Sequence, residues 1–133
     1  MFRIEIPMKL PSLNEYVRAN RTVHGSYFAG AGMKREIEQE IIFHTARLPR
    51  ITQPVWISFI WVEQNRKRDK DNIAFGKKFV LDALQKAGKL PNDNWKWVRG
   101  FSDRFEIGPE YKVILEIEEE TNGRKADVCE NDN

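Results

Sequence analysis

The nine residues VWISFIWVE, 55–63, limit the fold of this chain more than any other stretch. Apart from Ser58 they are apolar up to Val62 and rich in β-branched and aromatic side chains, which fits a strand buried on both faces. Such a strand belongs in the middle of a sheet, so the remaining elements are expected to be laid out around it.

Residues 2–9, FRIEIPMK, alternate Phe2, Ile4, Ile6 and Met8 with polar neighbours until Pro7 interrupts, the pattern of a strand near a sheet edge. The stretch 10–32 mixes Pro, Asn, Ser and Gly without a sustained period and reads as a long loop, with Tyr16, Arg18, Arg21 and Tyr27 available to a nucleic acid. From Met33, the residues Ile37, Ile41, Thr45 and Leu48 mark one face of a helix that Pro49 ends. Residues 71–88, DNIAFGKKFVLDALQKAG, predict a second helix, capped by Asp71 or Asn72, stopped by Gly88, with Ile73, Val80, Leu84 and Ala87 facing a core. KLPNDN, 89–94, is a turn, and two β-rich runs around the Gly108-Pro109-Glu110 step predict an antiparallel pair. The order β-α-β-α-β-β predicts an α+β (mixed α/β) domain, one mixed sheet of about four strands with two main helices.

With 133 residues the chain suffices for one domain, expected over 1–120, with 121–133 a disordered acidic tail. The net charge of +2 hides an asymmetry. Residues 1–115 carry 20 bases and 13 acids, a body of +7, whereas 116–133 carry seven acids and two bases. A basic body suits a polyanionic partner, and equally suits plain solubility. The single cysteine, Cys129, allows no intrachain disulfide, no stretch is long and apolar enough to span a bilayer, and the start lacks a cleavable leader pattern. A cytoplasmic protein without a membrane partner is the expectation.

RKRDKDN, 66–72, places Asp69 and Asp71 among Arg66, Lys67, Arg68 and Lys70. If this segment stays extended, the two carboxylates point to one side. On a continuous helix from Asp71, Lys78 and Asp82 fall within about 40° of it, opposite the core face. Asp93 joins them if the next strand runs back beside the central one. Carboxylates and a lysine in a basic setting suit Mg²⁺-dependent phosphodiester chemistry, in which the cations bring the phosphate and the acids bring the metal. Each element has a plain structural reading too: Asp71 a helix cap, Lys78 and Asp82 an exposed pair, Asp93 a turn former, and 66–70 a solvated loop. A calcium loop is excluded, because Ala74 stands where its sharp-turn glycine belongs and Val80 where its bidentate glutamate belongs.

Four pieces in order, PSLNEY, RDKDN, KKFVLDALQKAG and NDNWKWV, resemble the RusA family of Holliday junction resolvases, crossover junction endodeoxyribonucleases common in prophages. With their intervals they span most of the chain. The resemblance implies Asp69, Asp71 and Asp93 as the metal-binding triad and Lys78 as the catalytic lysine, with Lys77 as its rival because the segment after Asp71 is about one helical turn longer than in shorter members. Asn92 departs from an acid common at that position. The resemblance also implies a homodimer, two equivalent sites cutting opposed strands of a four-way junction. Phe75 and Phe79 are expected either at that dimer contact or in the core.

The resulting expectation is a Mg²⁺-dependent (Mn²⁺ as a possible substitute) endonuclease that resolves branched DNA in recombination and repair by paired strand cuts. Metal-activated water would attack the phosphorus, leaving 5′-phosphate and 3′-hydroxyl ends, while Arg66, Lys67, Arg68, Lys70, Lys77, Arg18 and Arg21 hold the backbone. A junction-binding protein without cleavage and a less selective Mg²⁺ nuclease are the alternatives.

Overall fold

The computed structural model describes residues 1–21, 29–121 and 124–125. Its centre is β2 (Val55–Glu63), which pairs in parallel with β3 (Val98–Ile107) on one side and antiparallel with β4 (Lys112–Thr121) on the other. β1 (Phe2–Ile6) joins the far edge of β4, so the order is β1-β4-β2-β3. This is the expected α+β fold with its apolar run in the middle. Ile57, Phe59 and Trp61 of β2 enter the main core, while Ile60 and Val62 form a second small cluster with Ile114 on the opposite face.

A parallel neighbour demands a crossover. The chain supplies it with α3 (Lys70–Ala74) and α4 (Lys77–Lys86), where the sequence predicts one helix. At the junction, hydrogen bonds shorten to the i→i−3 type: Gly76 N–H to the Ile73 carbonyl and Lys78 N–H to the Phe75 carbonyl, both 3.0 Å. A Cβ on Gly76 would lie 3.1 Å from Leu10 and from the Trp61 ring, so the glycine lets this bend seat against β2. Gly88, at φ +74°, ends α4 as expected, with Lys89 N–H bonding back to the Leu84 carbonyl.

The stretch read as a loop contains α1 (Leu13–Arg21), and α2 (Ala29–His44) begins four residues before Met33. The start of α1 carries a capping box: Glu15 N–H donates to Ser12 Oγ (3.1 Å) and Ser12 N–H to Glu15 Oε1 (3.2 Å). Tyr16 packs edge-on against Phe79 and tilted against Phe75; Phe79 is buried in the core, and Tyr16 and Phe75 lie half-buried against it. Tyr27 lies outside the described residues.

β3 and β4 are not the hairpin the sequence predicts, because β2 lies between them. Gly108 carries the chain over the end of β2, its N–H bonded to the Glu63 carbonyl at 2.8 Å, and a Cβ there would meet Val62 Cγ1 at 2.8 Å. Within the expected tail, Arg124–Lys125 form β5 against the end of β4. No helix among the described residues is long and apolar enough to cross a membrane.

Candidate functional site

The parallel pairing of β2 and β3 brings their carboxyl ends together, Glu63 opposite Ile107. There an open cleft of about 760 Å³ is lined by Glu63, Asn65, Arg66, Arg68, Asp69, Lys70, Asp71, Ile73, Phe105, Glu106 and Ile107. Asp69 and Asp71 therefore share one surface, although not as neighbours on an extended strand. Asp69 is extended (φ −72°, ψ 153°) at the N-cap of α3, and Asp71 is in the first helical turn.

Neither carboxylate is spent on closing α3. Asp69 occupies the capping position without making a side-chain cap bond, and among the described residues Asp71 Oδ1 accepts the adjoining Asn72 N–H alone, at 2.9 Å. Both side chains are exposed to the cleft. Lys70 reaches over the Phe105 ring, 5.6 Å from its centroid, and Arg66 lines the rim. Lys67 is exposed beside it, its backbone N–H held by Asn65 Oδ1 at 3.0 Å.

Arg68 differs from its basic neighbours. It forks onto the buried Glu63, Nε to Oε1 at 3.0 Å and Nη2 to Oε2 at 2.7 Å, and donates to the Leu10 carbonyl at 2.8 Å, with Glu15 at 3.5 Å. Burial pulls the Arg68 pKa down, but the Glu63 hydrogen bond and the charges of Glu63 and Glu15 outweigh it and hold the guanidinium above its ordinary value. Its charge is thus committed internally, and it pins the segment before Asp69 to β2 and to the entry of α1.

The lysines divide as well. Because the helix bends at Phe75–Gly76, Lys78 turns toward α2, 3.4 Å from Asp82, whose carboxylate also takes Lys34 at 2.7 Å. Burial acts to raise the Asp82 pKa, yet the Lys34 bond and charge and the nearby Lys78 carry it below the usual carboxylate value. The predicted stripe of Asp71, Lys78 and Asp82 is therefore broken. Lys77 faces β3: its Nζ is 2.8 Å from Asp103 Oδ2 and within 4.8 and 5.3 Å of the Phe101 and Phe59 ring centroids. Asp103 Oδ1 in turn accepts Trp61 Nε1–H at 2.8 Å. Neither lysine lines the cleft, but Lys77 is on the strand face that continues to Phe105.

Asp93 stands apart. It is exposed in the turn before β3, and that strand starts beside the start of β2, with Val55 N–H bonded to the Trp97 carbonyl at 2.8 Å. The length of nine-residue β2, about 30 Å, separates that end of the sheet from the cleft. The condition for Asp93 to join Asp69 and Asp71 within one chain is not met. Among the described residues no three His, Cys, Asp or Glu side chains are grouped so as to hold a metal ion.

Compared with known proteins, the chain matches no family model and no curated sequence.

Arg18 is exposed on α1, and the side chain of Arg21 lies outside the described residues. Sequence reasoning missed Glu63 and Arg68 as a clamp, Glu106 at the cleft, and the Lys77–Asp103–Trp61 linkage. Only the first had a local signal, an acid ending an otherwise apolar strand. Two carboxylates facing solvent, unspent on capping and flanked in the cleft by Arg66 and Lys70, suit a hard cation that takes few protein ligands and fills its sphere with water and phosphate oxygens. Asp69 and Asp71 fit that requirement, and Asp93 of the same chain does not.

Proposed function

We propose that this chain is a cytoplasmic Mg²⁺-dependent endodeoxyribonuclease acting on branched DNA, and that it resolves four-way junctions by paired cuts in the manner of the RusA family it resembles. One observation carries the reading: Asp69 and Asp71 face one open cleft with Arg66 and Lys70 on its walls, their carboxylates unspent on the helix that follows. Asp69 and Asp71 would hold the ion. A bound Mg²⁺ supplies stabilisation of charge on phosphate oxygens and a more acidic water. Arg66, Lys67 and Lys70 draw the phosphodiester in and fix its register, and Arg68 holds the loop that carries both acids. Lys77, not Lys78, is the lysine oriented toward the strand that lines the cleft.

The non-cleaving alternative draws support from one observation, that among the described residues no third acid is grouped with Asp69 and Asp71 so as to hold a metal ion. A binding module would keep the basic rim and use Asp69 and Asp71 only as surface acids.

The deciding experiment incubates an end-labelled four-way junction, a flap and a matched duplex with the protein in Mg²⁺ or EDTA, beside Asp71→Asn. Symmetrical metal-dependent nicks in the junction alone, absent from the variant, are expected. Junction binding without nicks under any divalent ion would establish the binding module, and equal cutting of all substrates a general nuclease.

A further inference from the structure

The geometry points to a phosphate-binding site, separate from the Asp69/Asp71 cleft, in the pocket between β1 and the end of α2. This open pocket, about 460 Å³, is lined by Arg3, Ile4, Glu5, Pro7, His44 and Arg47 and shares no residue with the cleft. Charge decides its ligand. The acid on its wall, Glu5, takes Lys112 Nζ at 3.1 Å, and Arg3 Nη1 donates to Glu116 at 2.7 Å, so these two pairs cancel. Arg47 is left over: it is exposed, and its guanidinium makes no hydrogen bond or ion pair among the described residues. His44 is half-buried and meets the Phe43 ring edge-on, 5.2 Å between centroids, a contact that leaves its imidazole N–H unspent.

Two features of the surroundings favour an anion there. The carbonyl end of a helix ordinarily repels one, but Lys89 Nζ donates to the Ala46 and Leu48 carbonyls that follow α2 and sets a cation at this end. β1 is a terminal strand, so the N–H groups on its outer edge have no partner strand among the described residues. An arginine fork, a ring N–H and edge N–H groups around one open pocket match the tetrahedral oxygens of a phosphate group. The source of that phosphate rests on the nuclease reading, under which it is a backbone phosphodiester of a DNA arm. Arg3 is level with Ser58, two strands across on β2 and five residues before Glu63, which puts the pocket about 20 Å from the cleft. One turn of duplex is longer, about 34 Å, so an arm that enters the cleft can reach the pocket.

The test uses the full chain in EDTA, where no cutting intervenes, with Arg47→Gln set beside Arg35→Gln, which removes the same charge from another exposed point near the start of α2. Both arginines are exposed, so both variants are expected to fold. Inorganic phosphate, titrated against chloride at constant ionic strength, is expected to give saturable shifts of the His44 and Arg47 resonances in ¹H–¹⁵N spectra, lost in Arg47→Gln and kept in Arg35→Gln. A four-way junction and a matched duplex are then bound over a range of salt. Arg47→Gln is expected to reduce the slope of log affinity against log salt by about 1 on both DNAs, and Arg35→Gln to leave it unchanged. Phosphate shifts with an unchanged DNA slope would keep the site and overturn DNA as its source, making free phosphate or a phosphomonoester the ligand. Shifts that chloride reproduces, that do not saturate, or that persist in Arg47→Gln would overturn the site. Failure of the nuclease reading looks different: a wild type that binds the junction with the Arg47-dependent slope and never nicks it in Mg²⁺ loses the cleavage and keeps this site.

Discussion

The two ends of the β2/β3 pair are built on opposite plans. At the carboxyl end a largely buried ion pair, Arg68 on Glu63, ties strand, loop and α1 entry together beneath the unspent Asp69 and Asp71. At the amino end the turn before β3 is organised by exposed amides: Asn94 N–H on Asn92 Oδ1 at 3.1 Å, and Lys96 and Trp97 N–H on Asn94 Oδ1 at 3.2 and 3.1 Å. It leaves Trp95 in solvent. A rigid end suits a site whose groups must be fixed before substrate arrives, and a presented end suits contact with something outside the chain.

The largest effect expected from breaking this contrast is on stability. Arg68→Ala strands Glu63 in a buried position and should cost about 3 kcal/mol, read as a lower urea midpoint. The double replacement Glu63→Leu with Arg68→Met should recover most of that loss, since it removes both charges at once. An unchanged midpoint in Arg68→Ala would show the clamp to be dispensable. Next, Asp71→Asn should lower junction cutting about 100-fold or more while leaving the urea midpoint within about 0.5 kcal/mol of wild type, because its carboxylate is exposed and caps nothing beyond its neighbour.

Those residues also show what the sequence disclosed. VWISFIWVE named the central strand because a long apolar β-branched run has few other places to go, and Gly88 named a helix end because it takes positive φ. Ser12 and Glu15 were a readable capping box, hidden by the Pro, Asn and Gly around them. Gly76 and Gly108 could not be read, since each is set by what lies across from it, Leu10 and Trp61 in one case and Val62 in the other. Asp69 and Asp71 were legible as a pair because they are local in sequence. Asp93 was not, because its position depends on β3 running parallel to β2, a choice made by long-range pairing. Lys77 and Lys78 changed roles for a related reason: the bend at Phe75–Gly76 resets which side of α4 faces the sheet.

At the amino end a smaller loss is expected. Asn94→Ala removes the acceptor for two backbone N–H groups in an exposed turn and should cost about 1 kcal/mol, seen in the urea midpoint. Trp95→Ala should leave stability within about 0.5 kcal/mol of wild type, its ring being 93% exposed, and a larger drop in the urea midpoint would show that the ring packs against something.

The smallest effect separates the two ends by pH. Burial tends to raise the Glu15 pKa, but the Ser12 hydrogen bonds, then Arg68 and Lys9, carry it below the ordinary carboxylate value in the fold. A group whose pKa is lowered by folding contributes stability that is complete above its unfolded pKa and is lost as pH falls through the folded one. Acidification from pH 6 through the carboxylate range should therefore loosen the start of α1 and its contact with Arg68. The turn at the amino end is held through the Asn92 and Asn94 side chains, which do not titrate, so its protection should hold over the same range. Hydrogen exchange read at the Glu15 amide against the Trp97 amide tests this. Faster local opening at Glu15 alone on acidification is the expected result, and equal loss at both amides would mean that acid acts on the fold as a whole rather than on the clamped end.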